Sequence, residues 1–289
     1  MVYMKTAVLT DSASIIDPQV KRKFNIKTLP LPLLIEGKTY YEKYNHDRME
    51  LRNELRQSKK NFLTPGQVSV DAIQEVIDGL VEKDYTDVIC VHIDNSISGL
   101  GDNLRSYAIK HSELKIHLVD SYSFGIAEGR LTELVGEMVS EGQTWNEIKS
   151  VILQIRDEMQ TLIVMKSLRH ISTNGYIKNG VSPVEKTFFK PKTLMSFQDK
   201  GQLEVINTYS QYSRLFREIR WRIAPAYQEM TGELQISITA IRSKKNDQII
   251  SRLIALLKRV FPVAKISLHD LPLSMMAYTG ADSMVISWH

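Results

Sequence analysis

Three short apolar or β-branched runs in the first half of the chain, at residues 7–10, 86–93 and 115–119, each break off at an aspartate beside a polar residue. Amphipathic stretches separate them. Residues 70–83 place Ala72, Ile73, Val76, Ile77, Leu80 and Val81 on one stripe at helical spacing. Further helices are expected over 101–111, 126–140 and 145–158. A strand, a helix and a further strand joined by crossovers this long pair in parallel, and helices then cover both faces of the sheet. The expected fold is therefore α/β, with a mostly parallel N-terminal sheet. Ligands of such sheets sit beyond the carboxyl ends of the strands. That places Asp11-Ser12, Asp94-Asn95-Ser96 and Asp120-Ser121 along one rim. Residues 29–35 are apolar, but Pro30 and Pro32 each lack an N–H for a ladder, so an edge strand or an extended segment is expected there.

The pattern changes near Thr161. Short strands are expected over 162–165, 193–197, 203–206, 234–240, 264–268 and 284–288, with a hairpin turn over 198–202. Two helices intervene, over 210–228 and 246–261. The second is strongly amphipathic, with Ile249, Ile250, Leu253, Ile254, Leu257 and Val260 on one face. Hairpin and interspersed helices describe an α+β domain. The 289 residues thus divide into domains at 1–160 and 161–289, expected to share a broad interface and a cleft.

Hydrophobic residues at 43% and charged ones at 24% describe a globular chain. A net charge of +4 over this length falls short of a nucleic-acid footprint. The single cysteine, Cys90, lies in an apolar run and can form no internal disulfide, which suits a reducing compartment. Neither a signal peptide nor an apolar run of the ~18 residues that a membrane span needs is evident, so the cytoplasm is the expected location.

Seven histidines lack the i, i+4 pairing or cysteine neighbours of a metal site, and none is expected. Ser98-Gly99-Leu100-Gly101 lacks the lysine of a phosphate loop. Ser12, Ser96 and Ser121 lack a nucleophile elbow, so no catalytic residue is assigned. Asp11, Asp94 and Asp120 leave open a phosphoryl-transfer enzyme using Mg²⁺, although Asp11 and Asp120 have a simpler reading as helix caps. Arg214, Arg217, Arg220 and Arg222 crowd one helix, as a solvated face or as a docking surface for an acidic partner.

Several segments follow one another in a distinctive order and spacing. They are Val8-Leu9-Thr10-Asp11-Ser12, the run from Pro32 through Gly37-Lys38-Thr39-Tyr40, and Thr64-Pro65-Gly66-Gln67-Val68-Ser69. His92-Ile93-Asp94-Asn95-Ser96-Ile97-Ser98-Gly99 and Leu118-Val119-Asp120-Ser121 follow, then Lys190-Pro191, Asp199-Lys200-Gly201 and Tyr278-Thr279-Gly280. Taken in order these resemble the motifs of the DegV family of bacterial fatty-acid-binding proteins, over nearly the whole chain. The resemblance implies a long-chain fatty acid, or a related amphiphile, held in an apolar interdomain tunnel, and no cofactor. It also implies a protein that is not itself an enzyme, and that in some members presents the acid to a separate fatty-acid kinase. Carried over by position, Thr64, Asn95, Ser96, Tyr278 and Thr279 would surround the head group, with the tail running into the N-terminal core.

Four departures stand out against the family pattern. Pro65 stands where the family has a carboxylate-binding threonine, and Asp94-Asn95 replaces a serine pair. Tyr278 replaces a histidine, and Tyr176 stands where the family carries an arginine used with the kinase; Arg169 belongs to a neighbouring pair. An ionised Asp94 would repel a carboxylate. A diverged scaffold that acts by interaction or regulation, without fatty acid, is the alternative.

Overall fold

Val88, Ile89, Cys90 and Val91 are all buried, as consecutive strand residues are only when both faces of their sheet are covered. The computed structural model describes residues 5–42, 63–166, 191–198, 201–229 and 232–289. The chain folds as two compact units, Met1–Glu158 and Met159–His289.

The first unit runs β1 (Thr6–Asp11), α1 (Pro18–Lys23), β2 (Lys27–Leu29), β3 (Pro32–Ile35), β4 (Lys38–Tyr41), β5 (Thr64–Pro65) and α2 (Val70–Val81). It continues with β6 (Asp87–His92), α3 (Asn95–Ser98), α4 (Leu100–Lys110), β7 (Lys115–Asp120), α5 (Ile126–Ser140) and α6 (Trp145–Glu158). Its main sheet has the order β2-β1-β6-β7, parallel throughout. From β1 the chain moves outward to β2 and later returns to β6 on the other side. The strand order therefore reverses between β1 and β6, where such sheets open a crevice.

α2 and α5 bury the apolar stripes that their sequences prescribe. α2 buries Ile73, Ile77 and Leu80, and its cap Ser69 accepts from the Ala72 N–H at 3.2 Å. α5 buries Ala127, Leu131 and Val135 and packs on β1, β6 and α6. At Gly129 a Cβ would lie 1.9 Å from the Ile15 carbonyl oxygen, so α5 meets the loop after β1 backbone to backbone.

Residues 29–35 do not form one edge strand. Pro30 separates β2, at the edge of the parallel sheet, from β3, the middle strand of a small antiparallel sheet ordered β4-β3-β5. Pro32 is tolerated there because it is the first residue of β3. Its carbonyl accepts from the Gly66 N–H at 2.8 Å, so it takes part as an acceptor alone.

The second unit contains β8 (Gln160–Met165), β9 (Lys192–Gln198), β10 (Gln202–Tyr209), α7 (Tyr212–Glu229) and β11 (Gln235–Ala240). α8 (Lys244–Val260), β12 (Lys265–Asp270), α9 (Leu273–Thr279) and β13 (Met284–Trp288) complete it. Its six strands are ordered β10-β9-β8-β13-β11-β12, antiparallel except for β11 with β12. Alternate residues Leu162 and Val164, Ile236 and Ile238, and Ile286 and Trp288 share one core with Leu215, Ile219 and Ile223 of α7 and Ile250, Leu253 and Leu257 of α8. The architecture is the α+β one expected from the hairpin and interspersed helices. β9 and β10 pair antiparallel, although two residues of the expected turn, Asp199 and Lys200, lie outside the described residues.

Candidate functional site

At the rim of the parallel sheet the aspartates are occupied by backbone amides. Asp11, buried at the end of β1, accepts from Ala13 N at 2.9 Å and from Ile93 N at 2.7 Å, tying the exits of β1 and β6 together. It caps no helix, contrary to the simplest reading of its position. Burial pushes its carboxyl above the usual range, while the amides of Ile93 and Ala13 pull it back. Asp120, at the end of β7, accepts from Tyr122 N at 3.1 Å and Asn95 N at 3.3 Å. Its own carbonyl accepts from Arg156, whose guanidinium lies 3.8 Å from the Tyr122 ring centroid.

Asp94 stands just past β6 and caps α3. Its Oδ1 accepts from the Ser96 N–H at 2.9 Å and from the Ser96 hydroxyl. Its Oδ2 is buried without a hydrogen-bond partner, and the residue is 1% exposed. Burial, with Asp120 adding to it, raises the carboxyl to about 7 against the bonds from Ser96. Burial thus makes Asp94 a weaker acid than its residue type suggests.

His92 is buried at the end of β6. Its Nδ1 bonds to the Ile93 carbonyl at 2.8 Å, while Nε2 is buried and unpartnered. The ring fits because residue 101 is glycine: a Cβ there would stand 2.6 Å from His92 Cε1.

Behind the rim lies a polar group that the sequence pattern did not flag. Glu128, fully buried in the first turn of α5, accepts from Thr10 Oγ1 at 3.0 Å, and its Oε2 has no hydrogen-bond partner. Thr132 donates to the Glu128 carbonyl at 2.8 Å. Burial first, and the charge of Asp11 second, hold the Glu128 acid well above its usual range. The available signal was a glutamate beside Ala127 and three residues before Leu131, on the stripe that should be apolar.

The head-group residues expected from sequence fall on β5 and α3 of the first unit and on α9 of the second. Thr64 is half-buried in β5, paired with Leu34. Asn95 and Ser96 open α3. Asn95 Nδ2 donates to Asp102 at 2.9 Å and its Oδ1 accepts from Asp102 N at 3.1 Å, which leaves one amide hydrogen for another acceptor. Ser96 is exposed beside Asp94. In the second unit Tyr278 and Thr279 are buried at the end of α9. Thr279 Oγ1 donates to the Met275 carbonyl at 3.1 Å and lies 2.7 Å from Ser283 Oγ, within the turn at Gly280. Tyr176 and Arg169 lie outside the described residues. No group of three His, Cys, Asp or Glu among the described residues is arranged to hold a metal ion. On α7, Arg214, Arg217 and Arg220 lie beside Trp221, which is 64% exposed, whereas Arg222 pairs with Glu218 at 2.9 Å.

Comparison with known proteins settles the kinship. Residues 5–289 match the model of a family described as uncharacterised protein, DegV family. The chain belongs to the DegV family. A DegV domain-containing protein of Streptococcus pyogenes serotype M3 is 24% identical over 245 residues, 85% of each chain. Another, from Clostridium acetobutylicum, is 25% identical over 197 residues, 68% of this chain and 69% of its own. Among solved structures, a fatty acid binding DegV family protein from Streptococcus agalactiae superposes with a TM-score of 0.86 at 20% identity, covering 99% of this chain and 98% of the other. A DegV family protein from Eubacterium eligens loaded with heptadecanoic acid gives 0.76 at 18% identity, with 98% of each chain covered. The DegV fold thus accounts for both units. No helix among the described residues is long and apolar enough to cross a membrane.

Proposed function

We propose that this DegV protein binds one long-chain fatty acid, or a closely related amphiphile, in an apolar tunnel, as a carrier and not as an enzyme. The observation that supports it is the full-length likeness to DegV proteins described as fatty acid binding, one of them loaded with heptadecanoic acid. Burial of a tail of about fourteen methylenes, at ~0.8 kcal/mol each, supplies up to roughly 11 kcal/mol before the losses on association. A few donors then suffice to satisfy the head. Thr64, Asn95, Ser96, Tyr278 and Thr279 are the head-group residues of this proposal, with residues 1–160 and 161–289 as its two domains.

No cofactor is required, and the cytoplasm is the compartment in which such a carrier meets its acid. A separate fatty-acid kinase is the partner that this role implies, with this chain presenting the head for phosphorylation. Delipidated protein mixed with radiolabelled palmitate and passed through a gel-filtration column should carry one label per chain. Label that elutes wholly apart from the protein refutes the function. Label that stays as free acid when kinase and ATP are added refutes only the presentation.

A further inference from the structure

Two adjacent helices of the second unit carry more net positive charge than the whole chain. α7 and α8 pack together and turn one stripe each into a shared core, Leu215, Ile219 and Ile223 from α7 and Ile250, Leu253 and Leu257 from α8. Their other faces point away from the sheet. The two helices hold nine lysines and arginines against three acids, a net of six positive charges, where the whole chain has +4. Two of those acids are already taken, Glu218 by Arg222 at 2.9 Å and Asp247 by Arg242 at 2.7 Å. Arg214, Arg217 and Arg220 of α7 and Lys245, Arg252 and Arg259 of α8 are exposed, and none pairs with a carboxylate among the described residues. Like charges one turn apart, as in the three arginines of α7, work against a helix, so counter-charge from outside would stabilise it. Trp221, one turn from Arg217 and two from Arg214, stands 64% exposed among them.

What this face lacks narrows what it fits. A protein partner needs an apolar centre; among the described residues, Trp221 is the one large apolar side chain exposed on either helix. A small anion needs a concave site, whereas the residues around Trp221 all belong to α7, and a single helix is convex. A nucleic-acid strand needs several aromatic platforms, and here there is one. A charged bilayer needs none of these: basic side chains meet its phosphates, and a tryptophan lies at the level of its headgroups. We propose that the outer faces of α7 and α8 dock on the surface of an anionic phospholipid bilayer, with Trp221 at headgroup level and the six exposed cations against lipid phosphates. This goes beyond the carrier function and does not rest on it, since the face and its charge are the same whatever the protein carries.

The test is binding of the full chain to vesicles, read by co-sedimentation and by iodide quenching of tryptophan. Vesicles of phosphatidylcholine alone are compared with vesicles that carry about 30% phosphatidylglycerol. The protein should bind only the anionic vesicles, lose part of its quenching as Trp221 is covered, and come off at about 1 M salt, where screening acts within ~3 Å. The change in quenching should vanish in Trp221→Phe, which still binds. A basic residue near such a surface contributes about fivefold in affinity. Arg214→Glu, Arg217→Glu and Arg220→Glu combined should therefore weaken binding by about a hundredfold or more, and so should Lys245→Glu, Arg252→Glu and Arg259→Glu combined. All six are exposed, so both variants should keep the wild-type urea midpoint. Lys110→Glu, Lys115→Glu and Lys149→Glu, exposed in the first unit, lower the net charge equally and should leave binding as in the wild type. Equal loss in that control, binding unchanged by either helix's reversal, or equal binding to neutral vesicles overturns the proposal. Polyglutamate or a single-stranded oligonucleotide that displaces the protein from anionic vesicles at equal charge concentration overturns the bilayer as the occupant.

Discussion

Glu128→Gln tests whether a neutral acid is buried at the heart of the first unit. In the unfolded chain Glu128 loses its proton near the usual 4.5; in the folded chain, full burial and the neighbouring Asp11 keep that proton on to a distinctly higher pH. Between the two values the native state holds one more proton than the unfolded state. The slope of unfolding free energy with pH, 2.303RT times the difference in protons bound (unfolded minus native), is then negative. The stability from protonated Glu128 is fully present below about 4.5 and is lost as pH rises toward the folded value, at about 1.4 kcal/mol per pH unit. Glutamine is isosteric, keeps an oxygen for Thr10 Oγ1 at its 3.0 Å contact and never ionises, so the variant lacks this slope. Hydrogen exchange of peptides from β1 and α5, at pH 5, 6, 7 and 8 with intrinsic rates corrected, reports the first unit alone. Glu128→Gln should gain on wild type as the pH rises from 5, by at most about 1.4 kcal/mol per unit of pH. A difference between the two proteins that is constant from pH 5 to 8 would refute the buried neutral acid.

Two further substitutions test the packing of each unit. Gly129→Ala drives a methyl group to 1.9 Å from the Ile15 carbonyl oxygen and should destabilise the first unit by about 3 kcal/mol, seen as a lower urea midpoint; an unchanged midpoint would deny that close approach. Leu253→Ala empties a fully buried site between α8 and the second sheet and should lower stability by roughly 2–5 kcal/mol, read from Trp288 fluorescence in the same core. A loss under about 1 kcal/mol, the scale of a single methylene, would mean that the core had closed over the gap.

How much of this was legible in the residues depends on periodicity. The apolar stripe of α8 and the continuous run of β6 follow directly from spacing and placed the rim aspartates at strand ends. α9 escaped, because all seven of its residues are buried and a helix without a polar face shows no period. β5 escaped because it is two residues long and includes Pro65. The proposed head-group positions come from motif order alone, and the bonds those residues make were not legible there. Asn95 is held by Asp102 seven residues away, a partner that only the turn at Gly99, with φ of 66°, brings into reach. Asp94 read as a repelling charge because residue type says nothing about burial, and burial is what lifts its carboxyl to about 7. Glu128 needed its partner Thr10, which is 118 positions away and adjacent only after folding.

The central claim is that one chain carries one fatty acid. Native mass spectrometry of protein purified from cells without added lipid tests it most directly. The account predicts a species heavier than the 33.1 kDa chain by the mass of a single long-chain acid, which collisional activation releases as a carboxylate. Bare chain alone, in preparations that also take up no palmitate or oleate when it is added, would contradict it.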